Sequence, residues 1–330
     1  MQQPRLIKFL VLGLPIGLFV IGAGSMVWHF KHPLAGTKPP LNPPGSRQVA
    51  QVDLEFYVKR LANPQEVGPR PAADAAKTRI AVSFLQGTLG FNNIGFPKVE
   101  REPLSASNDD LVNLWVEVPG SAEPPETILI AAHYDSAPDS PGANANGTGV
   151  AANLALANLF LRTQHRCTLR FAFLANALGA APNGPETMTQ ALQKRGGKIT
   201  AVLCLSELGA FHDGPNSQQP WPGAEPALPT TGNFLAFIGQ KSSAPLLIQA
   251  REWFAANSSL GSQSAVVEDF RSPLAQGLFQ MGTPTVLITD TGPLRNAATG
   301  TAADTTGPLD FKRFTQAVQG LGVVLEKLAR

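Results

Sequence analysis

The sequence predicts an α/β protein, folded as a three-layer α/β/α sandwich around a mixed, mostly parallel central sheet. Short apolar runs, bounded by turn-forming residues, indicate buried strands. Longer segments with helical periodicity separate these runs, and this alternation is typical of a sheet covered by helices on both faces. Polar residues follow one of the buried runs, at the edge where open sheets of this class bind their ligands.

The individual elements follow from local patterns of apolar and turn-forming residues. The predicted helices cover residues 53–61, 72–87, 150–161, 186–194, 244–257 and 310–328. The predicted strands cover residues 96–103, 114–118, 128–132, 167–174, 199–205 and 284–288. Residues 212–230 are rich in Pro, Gly, Ser and Gln and predict a long loop. The sequence contains no internal repeat and no nucleotide-binding glycine motif.

The charge and cysteine content limit the classes of protein to which this chain can belong. The 330-residue chain has 26 basic and 24 acidic residues, and its net charge of +2 argues against a nucleic-acid-binding protein. Its two cysteines, Cys167 and Cys204, lie in separate apolar runs, so we predict buried free thiols rather than a disulfide. The length suffices for one large domain after an N-terminal segment is set aside.

That N-terminal segment predicts a membrane anchor. Residues 9–28 carry no formal charge and are long enough to cross about 30 Å of hydrocarbon as a helix. A cleaved signal peptide is the alternative, because Ala23-Gly24-Ser25 resembles a cleavage site. We predict an anchor or signal peptide over 1–31, a Pro-rich linker over 32–49 and one domain over 50–330. The anchored form would be a single-pass membrane protein with a cytoplasmic N terminus and a periplasmic or extracellular domain, and the cleaved form would be secreted.

The run from Ile128 to Gly149 contains the candidate site. His133 and Asp135 follow a buried strand two residues apart, so both side chains leave the same face of the strand. A loop rich in Pro, Ser, Gly and Asn comes next, and Gly149 then opens a helix. This arrangement predicts a polar site at the carboxyl end of a central strand.

The same run resembles a known family. His133-Tyr-Asp-Ser, Pro141-Gly-Ala-Asn and Asn146-Gly-Thr-Gly are similar to the di-zinc aminopeptidases, whose relatives include glutaminyl cyclases and the transferrin receptor. Shorter matches follow the same order, at Asn113-Leu-Trp-Val, Leu169-Arg-Phe-Ala-Phe, Leu287-Ile-Thr-Asp-Thr and Ala303-Asp304-Thr305. The resemblance covers residues 50–328 and implies a zinc-exopeptidase-like fold.

The resemblance also implies where the catalytic groups would fall. In such enzymes two zinc ions share a bridging carboxylate, and a Glu accepts a proton from the metal-bound water. The first zinc His falls on His133, and the Asp that orients it falls on Asp135. The other positions are Ala145 for the bridging Asp, Ala177 for the general-base Glu, Leu178 for the next zinc ligand, Ser206 for the acidic ligand after the following strand and Gly300 for the last His. A substrate-pocket His of the family falls on Phe270.

One of five metal ligands thus remains, and the general base is absent. A single imidazole cannot hold a catalytic zinc, which normally has three protein ligands. Small neutral residues suit a site without cations, because clustered carboxylates would repel one another there. We therefore expect no cofactor and interpret the chain as a catalytically inactive pseudopeptidase that binds a peptide or protein partner in or beside the former cleft. His133 and Asp135 would then be a relict pair.

A serine hydrolase is one alternative to this interpretation. Ser206 could face His133 and Asp135 in a Ser-His-Asp arrangement. No Gly-x-Ser-x-Gly motif surrounds Ser206, however, so nothing local marks it as a nucleophile. Glu207, one place further along, is expected on the opposite face of the strand.

The second alternative is an active zinc-dependent exopeptidase or amidohydrolase with a rebuilt metal site. Such a site would combine His133 with His212, Asp213 or Asp139. It would need at least three of these side chains within reach of one ion. Zinc is expected as a cofactor only under this alternative.

Overall fold

The computed structural model describes residues 48–105, 108–180, 182–195, 197–224 and 228–330. The predicted membrane segment and most of the predicted linker lie outside these residues. Among the helices in the described ranges, none has the length and apolarity needed to cross a bilayer.

The described residues form seven α-helices and eight strands. The helices are α1 (Gln51–Ala62), α2 (Ala75–Leu89), α3 (Gly149–Phe160), α4 (Gly184–Arg195), α5 (Ala244–Asn257), α6 (Pro273–Phe279) and α7 (Phe311–Leu328). The strands are β1 (Glu100–Ser105), β2 (Asn108–Val118), β3 (Glu126–His133), β4 (Thr168–Leu174), β5 (Lys198–Leu205), β6 (Phe234–Gly239), β7 (Gly261–Val266) and β8 (Thr285–Thr289). A π-helical turn, Ala143–Thr148, leads into α3.

All eight strands belong to one sheet with the order β1-β2-β4-β3-β5-β8-β6-β7. The four central strands, β4, β3, β5 and β8, run parallel to one another. Antiparallel pairs join β1 to β2, β2 to β4 and β6 to β8. The predicted mixed, mostly parallel sheet is therefore confirmed, and the polar residues that follow β3 and β5 lie at one edge of it.

The two faces of the sheet build two separate apolar cores. In β3, Ile128 and Ile130 point into a core with residues of α1, α3, α5 and α7. Leu129 and Ala131 point to the other face, into a core with residues of α4 and α6. This alternation follows from the two-residue period of a strand, and it gives the predicted three layers. His133, in the same register as Leu129 and Ala131, belongs to the α4–α6 face.

Most predicted elements occur within a few residues of their expected bounds, but three were missed. The strands β6 and β7 and the short helix α6 were not predicted, although β6 is buried along its whole length. The predicted loop over 212–230 contains no helix or strand in its described part. Cys167 and Cys204 are free and buried, as predicted.

Candidate functional site

A cavity of about 360 Å³ lies at the carboxyl edge of the sheet, where β3, β5 and β8 end. Its polar lining includes His133, Ser206 and Glu207. Its apolar lining comes from other elements, namely Leu178, Trp221, Leu274, Leu287, Pro293 and Leu294. We refer to this space as the cleft. It combines a small group of ionisable side chains with a larger apolar wall, the usual composition of a ligand pocket.

His133 and Asp135 form a buried pair beside the cleft. Nδ1 of His133 lies 3.1 Å from the backbone oxygen of Asp135 and 3.3 Å from its Oδ1. Burial alone would lower the pKa of His133, but the hydrogen bond and charge of Asp135, together with the charge of Glu207, outweigh burial and raise that pKa. Burial alone would raise the pKa of Asp135, but its hydrogen bonds and the charge of His133 outweigh burial and lower that pKa. The pair therefore favours an imidazolium beside a carboxylate.

The Asp135 carboxylate also fixes the segment where the family's general base and a zinc ligand would be. The backbone N–H of Ala177 donates to Oδ1 of Asp135 at 3.1 Å, and that of Leu178 donates to Oδ2 at 3.2 Å. Ala177 is buried, while the Leu178 side chain is 49% exposed and lines the cleft. The structure thus brings both positions next to His133 and fills them with apolar side chains.

Asp304 binds the backbone at two further positions of the family's metal site, Ala145 and Gly300. The backbone N–H groups of Ala145 and Gly300 both donate to its Oδ2 at 3.0 Å, and that of Asn144 donates to its Oδ1 at 2.8 Å. Gly300 has a φ of +77°, in the left-handed region that favours glycine. A Cβ placed there would meet open space rather than a neighbouring atom. The backbone conformation, rather than crowding, therefore disfavours a side chain at the position of the family's last His.

Asn146 connects these segments to the cleft. Its Nδ2 donates to the backbone oxygens of Leu205 at 2.9 Å and His133 at 3.4 Å. Its Oδ1 accepts hydrogen bonds from the backbone N–H groups of Gly149 at 3.1 Å and Glu207 at 3.0 Å. One buried amide thus links the ends of β3 and β5 to the start of α3.

Glu207 corrects an expectation from the sequence. It was expected on the opposite face of the strand from Ser206, but both side chains line the cleft. Strand β5 ends at Leu205, and Glu207 has a φ of +48°, so the alternation of a strand no longer applies. Burial raises the pKa of Glu207 to about 7, and nearby Asp290 and Asp304 act in the same direction. A hydrogen bond from Ser206 and the charge of His133 oppose this rise.

Comparison with known proteins assigns this arrangement to a family. Residues 113–180, which include His133, Asp135, Ala145 and Ala177, match the model of peptidase family M28. This segment of the chain is therefore similar to the M28 peptidases. The chain is 26% identical over 305 residues to the Escherichia coli protein YfbL, described as uncharacterized, covering 86% of this chain and 90% of YfbL. It is 27% identical over 149 residues to the Bacillus subtilis aminopeptidase YwaD, covering 40% of this chain and 32% of YwaD.

A solved structure shares the fold of this chain at lower identity. The LapA aminopeptidase of Legionella pneumophila superposes with a TM-score of 0.69 and 14% identity, over 86% of this chain and 73% of LapA. This likeness shows a common fold. Together with the motif match, it confirms the resemblance to the zinc aminopeptidases.

The donor set around His133 does not fit a zinc ion. Zinc needs three protein ligands from Cys, His, Asp or Glu, whereas the side chains at the family's ligand positions beyond His133 are aliphatic, a hydroxyl or a hydrogen atom. Among the residues that the structure describes, no three His, Cys, Asp or Glu side chains form a group that could hold a metal ion. Phe270, where the family has a pocket His, is fully buried and packs against Phe279 with ring centroids 5.6 Å apart.

The side chains of the proposed rebuilt metal site are not brought together either. All four lie in the described ranges, and they do not form a metal-binding group. Asp213 instead pairs with Arg313 at 2.5 Å, with 65% of its side chain exposed. Asp139 is exposed on its loop. The structure does not support a serine nucleophile at Ser206. In a Ser-His-Asp arrangement its hydroxyl would donate to His133, but it donates to Glu207 instead, while Asp135 contacts the imidazole of His133.

The loop over 212–230 supplies a wall of the cleft that sequence reasoning did not place. Trp221 lines the cleft and is only 5% exposed, yet its indole N–H has no hydrogen-bond partner in the described structure. Oε1 of Gln218, in the same loop, accepts hydrogen bonds from Oγ1 of Thr291 at 2.7 Å and Nε of Arg295 at 3.0 Å. A lone Trp within a segment of Pro, Gly, Ser and Gln was the available signal, since a large aromatic side chain in a polar loop usually finds a buried place.

Proposed function

We propose that this M28 relative is a membrane-anchored, extracytoplasmic pseudopeptidase that binds a peptide or protein segment in its cleft without zinc. The observation that carries the proposal is the set of residues around His133. Ala145, Ala177, Leu178, Ser206 and Gly300 stand where the family places its remaining ligands and its general base, and none of them offers zinc a carboxylate, imidazole or thiolate.

The hydrogen-bonded segments around these positions support a role in ligand binding. The side-chain oxygens of Asp135, Asn146 and Asp304 accept backbone hydrogen bonds that hold the segments around the cleft. Buried polar groups destabilise a protein unless each is paired, so this network stabilises the fold and also shapes the cleft.

The cleft offers chemistry suited to part of a polypeptide. Leu178, Trp221 and Leu274 provide apolar surface for a side chain. Glu207 and Ser206 provide hydrogen-bonding groups for a backbone amide. Anchoring by residues 9–28 would keep such a binding site at the membrane surface.

Binding and hydrolysis can be separated with two matched variants. Leu178→Arg places a long charged side chain at the mouth of the cleft, where the native side chain is already half exposed. Ile248→Arg introduces the same side chain on α5, at a residue 51% exposed and outside the cleft lining. We expect full-length protein to bind members of a defined peptide library, Leu178→Arg to lose that binding, and Ile248→Arg to retain it.

The same preparation tests hydrolysis. We expect no release of nitroaniline from aminoacyl nitroanilides above the buffer rate, with or without added zinc, and no difference between wild type and His133→Ala. Turnover that a chelator abolishes would overturn the pseudopeptidase proposal. Peptide binding that Leu178→Arg leaves unchanged would remove the cleft as the binding site.

A further inference from the structure

Exposed apolar side chains concentrate on the first two helices of the domain. Val52 and Phe56 on α1 are 70% and 47% exposed, and Ile80 on α2 is 41% exposed. Phe91, in the turn after α2, is 79% exposed. Large apolar side chains exposed in a group, rather than singly, mark an interaction surface. We call these four residues the N-terminal apolar face.

Arg60 connects the two helices at this surface. The guanidinium of Arg60 lies 5.4 Å from the ring centroid of Phe56 and 5.7 Å from that of Phe84, so α1 and α2 present these rings side by side. Val52 precedes Phe56 by four residues, and Ile80 precedes Phe84 by four, so each pair lies on one face of its helix.

The turn that carries Phe91 adjoins the start of α1. Ile94 from this turn lines a groove of about 260 Å³ together with Val49, Asp53 and Leu161. Phe91 precedes Ile94 by three residues, so the turn that exposes Phe91 lies near the point where the described chain begins, at Gln48.

Three cations of α1 and α2 already have acidic partners. Lys59 lies 2.8 Å from Glu55, Arg79 lies 2.7 Å from Asp110, and Arg60 pairs with Glu66. These pairs reduce the attraction of the face for an anionic partner, while its apolar side chains stay exposed.

The sequence before α1 identifies what covers the face. The uncharged stretch 9–28 and the start of α1 at Gln51 are separated by residues 29–50. Fully extended, 22 residues span at most about 75 Å, so an anchor at 9–28 would keep α1 within that distance of the bilayer. Such tethering raises the effective concentration of lipid at the surface of the domain.

We infer that the N-terminal apolar face rests on the bilayer surface, with Phe56 and Phe91 inserted about 5–10 Å into the boundary between headgroups and acyl chains. This inference relies on the proposed membrane anchor but not on how the cleft functions. Leu54 and Leu85, from the buried sides of α1 and α2, pack in the core on one face of the sheet. Trp221 and Leu274 of the cleft pack in the core on the other face. Docking in this way therefore leaves the cleft open to a partner in solution.

The test uses full-length protein in phosphatidylcholine vesicles with and without lipids brominated in the acyl chain. Phe56→Cys, Phe91→Cys, Ile248→Cys and Leu18→Cys each carry one polarity-sensitive fluorophore, which reacts selectively because Cys167 and Cys204 are buried. Ile248 is the matched control, with 51% exposure and a place on α5 away from the face. Leu18 lies within the uncharged stretch and reports insertion of the anchor.

We expect the fluorophores at positions 18, 56 and 91 to lose at least half of their emission in brominated vesicles, and the one at 248 to lose almost none. Quenching at 56 and 91 should persist at about 1 M salt, where the Debye length is about 3 Å, because it depends on apolar contact. Quenching at 18 with none at 56 and 91 would overturn the inference while leaving the anchor in place. A blue shift at 56 and 91 that disappears on dilution, without bromine quenching, would assign the face to a second copy of the chain. No quenching at 18 would overturn the anchor and this inference together, and the peptide-binding and hydrolysis tests would remain unaffected.

Discussion

Two buried polar regions meet at the carboxyl edge of the sheet and differ in what satisfies their carboxylates. In the first, Asp304 accepts three backbone N–H groups, and Asp290 accepts those of Ala210 at 2.6 Å and Gly292 at 2.8 Å. In the second, at the cleft, Glu207 has Ser206 as its side-chain donor and a pKa raised to about 7. We call the first the bracing region, because its bonds hold loop backbone in place.

The difference separates the parts of the site that shape the fold from the parts that would perform chemistry. Backbone N–H groups are present whatever the side chain, so the hydrogen bonds of Asp304 to Ala145 and Gly300 do not require ligand side chains at these positions. The loops can therefore keep these bonds although the ligand side chains are absent. Among the positions that depart from the family pattern, Leu178 and Ser206 line the cleft.

The largest expected effect comes from breaking the bracing region. Asp304→Ala removes the acceptor of three backbone N–H groups, one buried and two part-buried. Hydrogen bonds to a charged group contribute about 1.5–3 kcal/mol when buried and less when part-exposed, so we expect a loss of about 4 kcal/mol in the free energy of unfolding. Denaturant titration of wild type and variant measures this. Asp304→Asn keeps one carbonyl acceptor and should lose less. A loss below about 1 kcal/mol would show that the loops are held by other contacts.

At the cleft we expect a smaller change in the free energy of unfolding, and this change should stabilise the protein. The carboxyl of Glu207 has a pKa of about 7 in the folded protein and near its ordinary value when unfolded, so the folded state binds the proton more tightly. Stability contributed by this group is therefore lost as pH rises from about 4.5 to 7 and stays lost above that range. Glu207→Gln removes this penalty and should stabilise the protein at pH 8 by up to about 3 kcal/mol, with the difference vanishing near pH 4. An equal effect at both pH values would contradict the raised pKa.

The smallest effect is expected outside both regions. Asp213 pairs with Arg313 at the surface, where solvent and salt screen the interaction. We expect Asp213→Ala to leave the unfolding midpoint unchanged within error and to leave peptide binding unchanged. Loss of peptide binding in this variant would mean that the loop from residue 212 contacts the ligand away from the cleft lining.

Much of this molecule could be predicted from sequence because its central strands are strongly patterned. The run Ile128–Ala132 is apolar at every position and lies buried between two parallel neighbours, β4 and β5. Strands β6 and β7 escaped prediction for physical reasons. Phe234–Gly239 follows a long irregular segment, and Gly261–Val266 is a polar edge strand whose pattern GSQSAV is weakly apolar.

The site was predictable where it depends on strand ends and not where it depends on loop conformation. His133, Asp135 and Ser206 lie in register with the strands that precede them. Glu207 turns into the cleft through a positive φ that no sequence period encodes. Trp221 reaches the cleft from a loop held by distant hydrogen bonds of Gln218, which local patterns cannot reveal.

The most direct test of a metal-free cleft is the zinc content of the purified full-length protein, measured by elemental mass spectrometry after exposure to excess zinc and removal of unbound metal. Restoring Ala145→Asp, Leu178→Glu and Ser206→Asp in one variant provides the positive control, because with His133 it regains four candidate ligands. We expect well below one zinc per chain in the wild type, with no change in its unfolding midpoint on addition of a chelator. One or two tightly held zinc ions per wild-type chain would contradict the account.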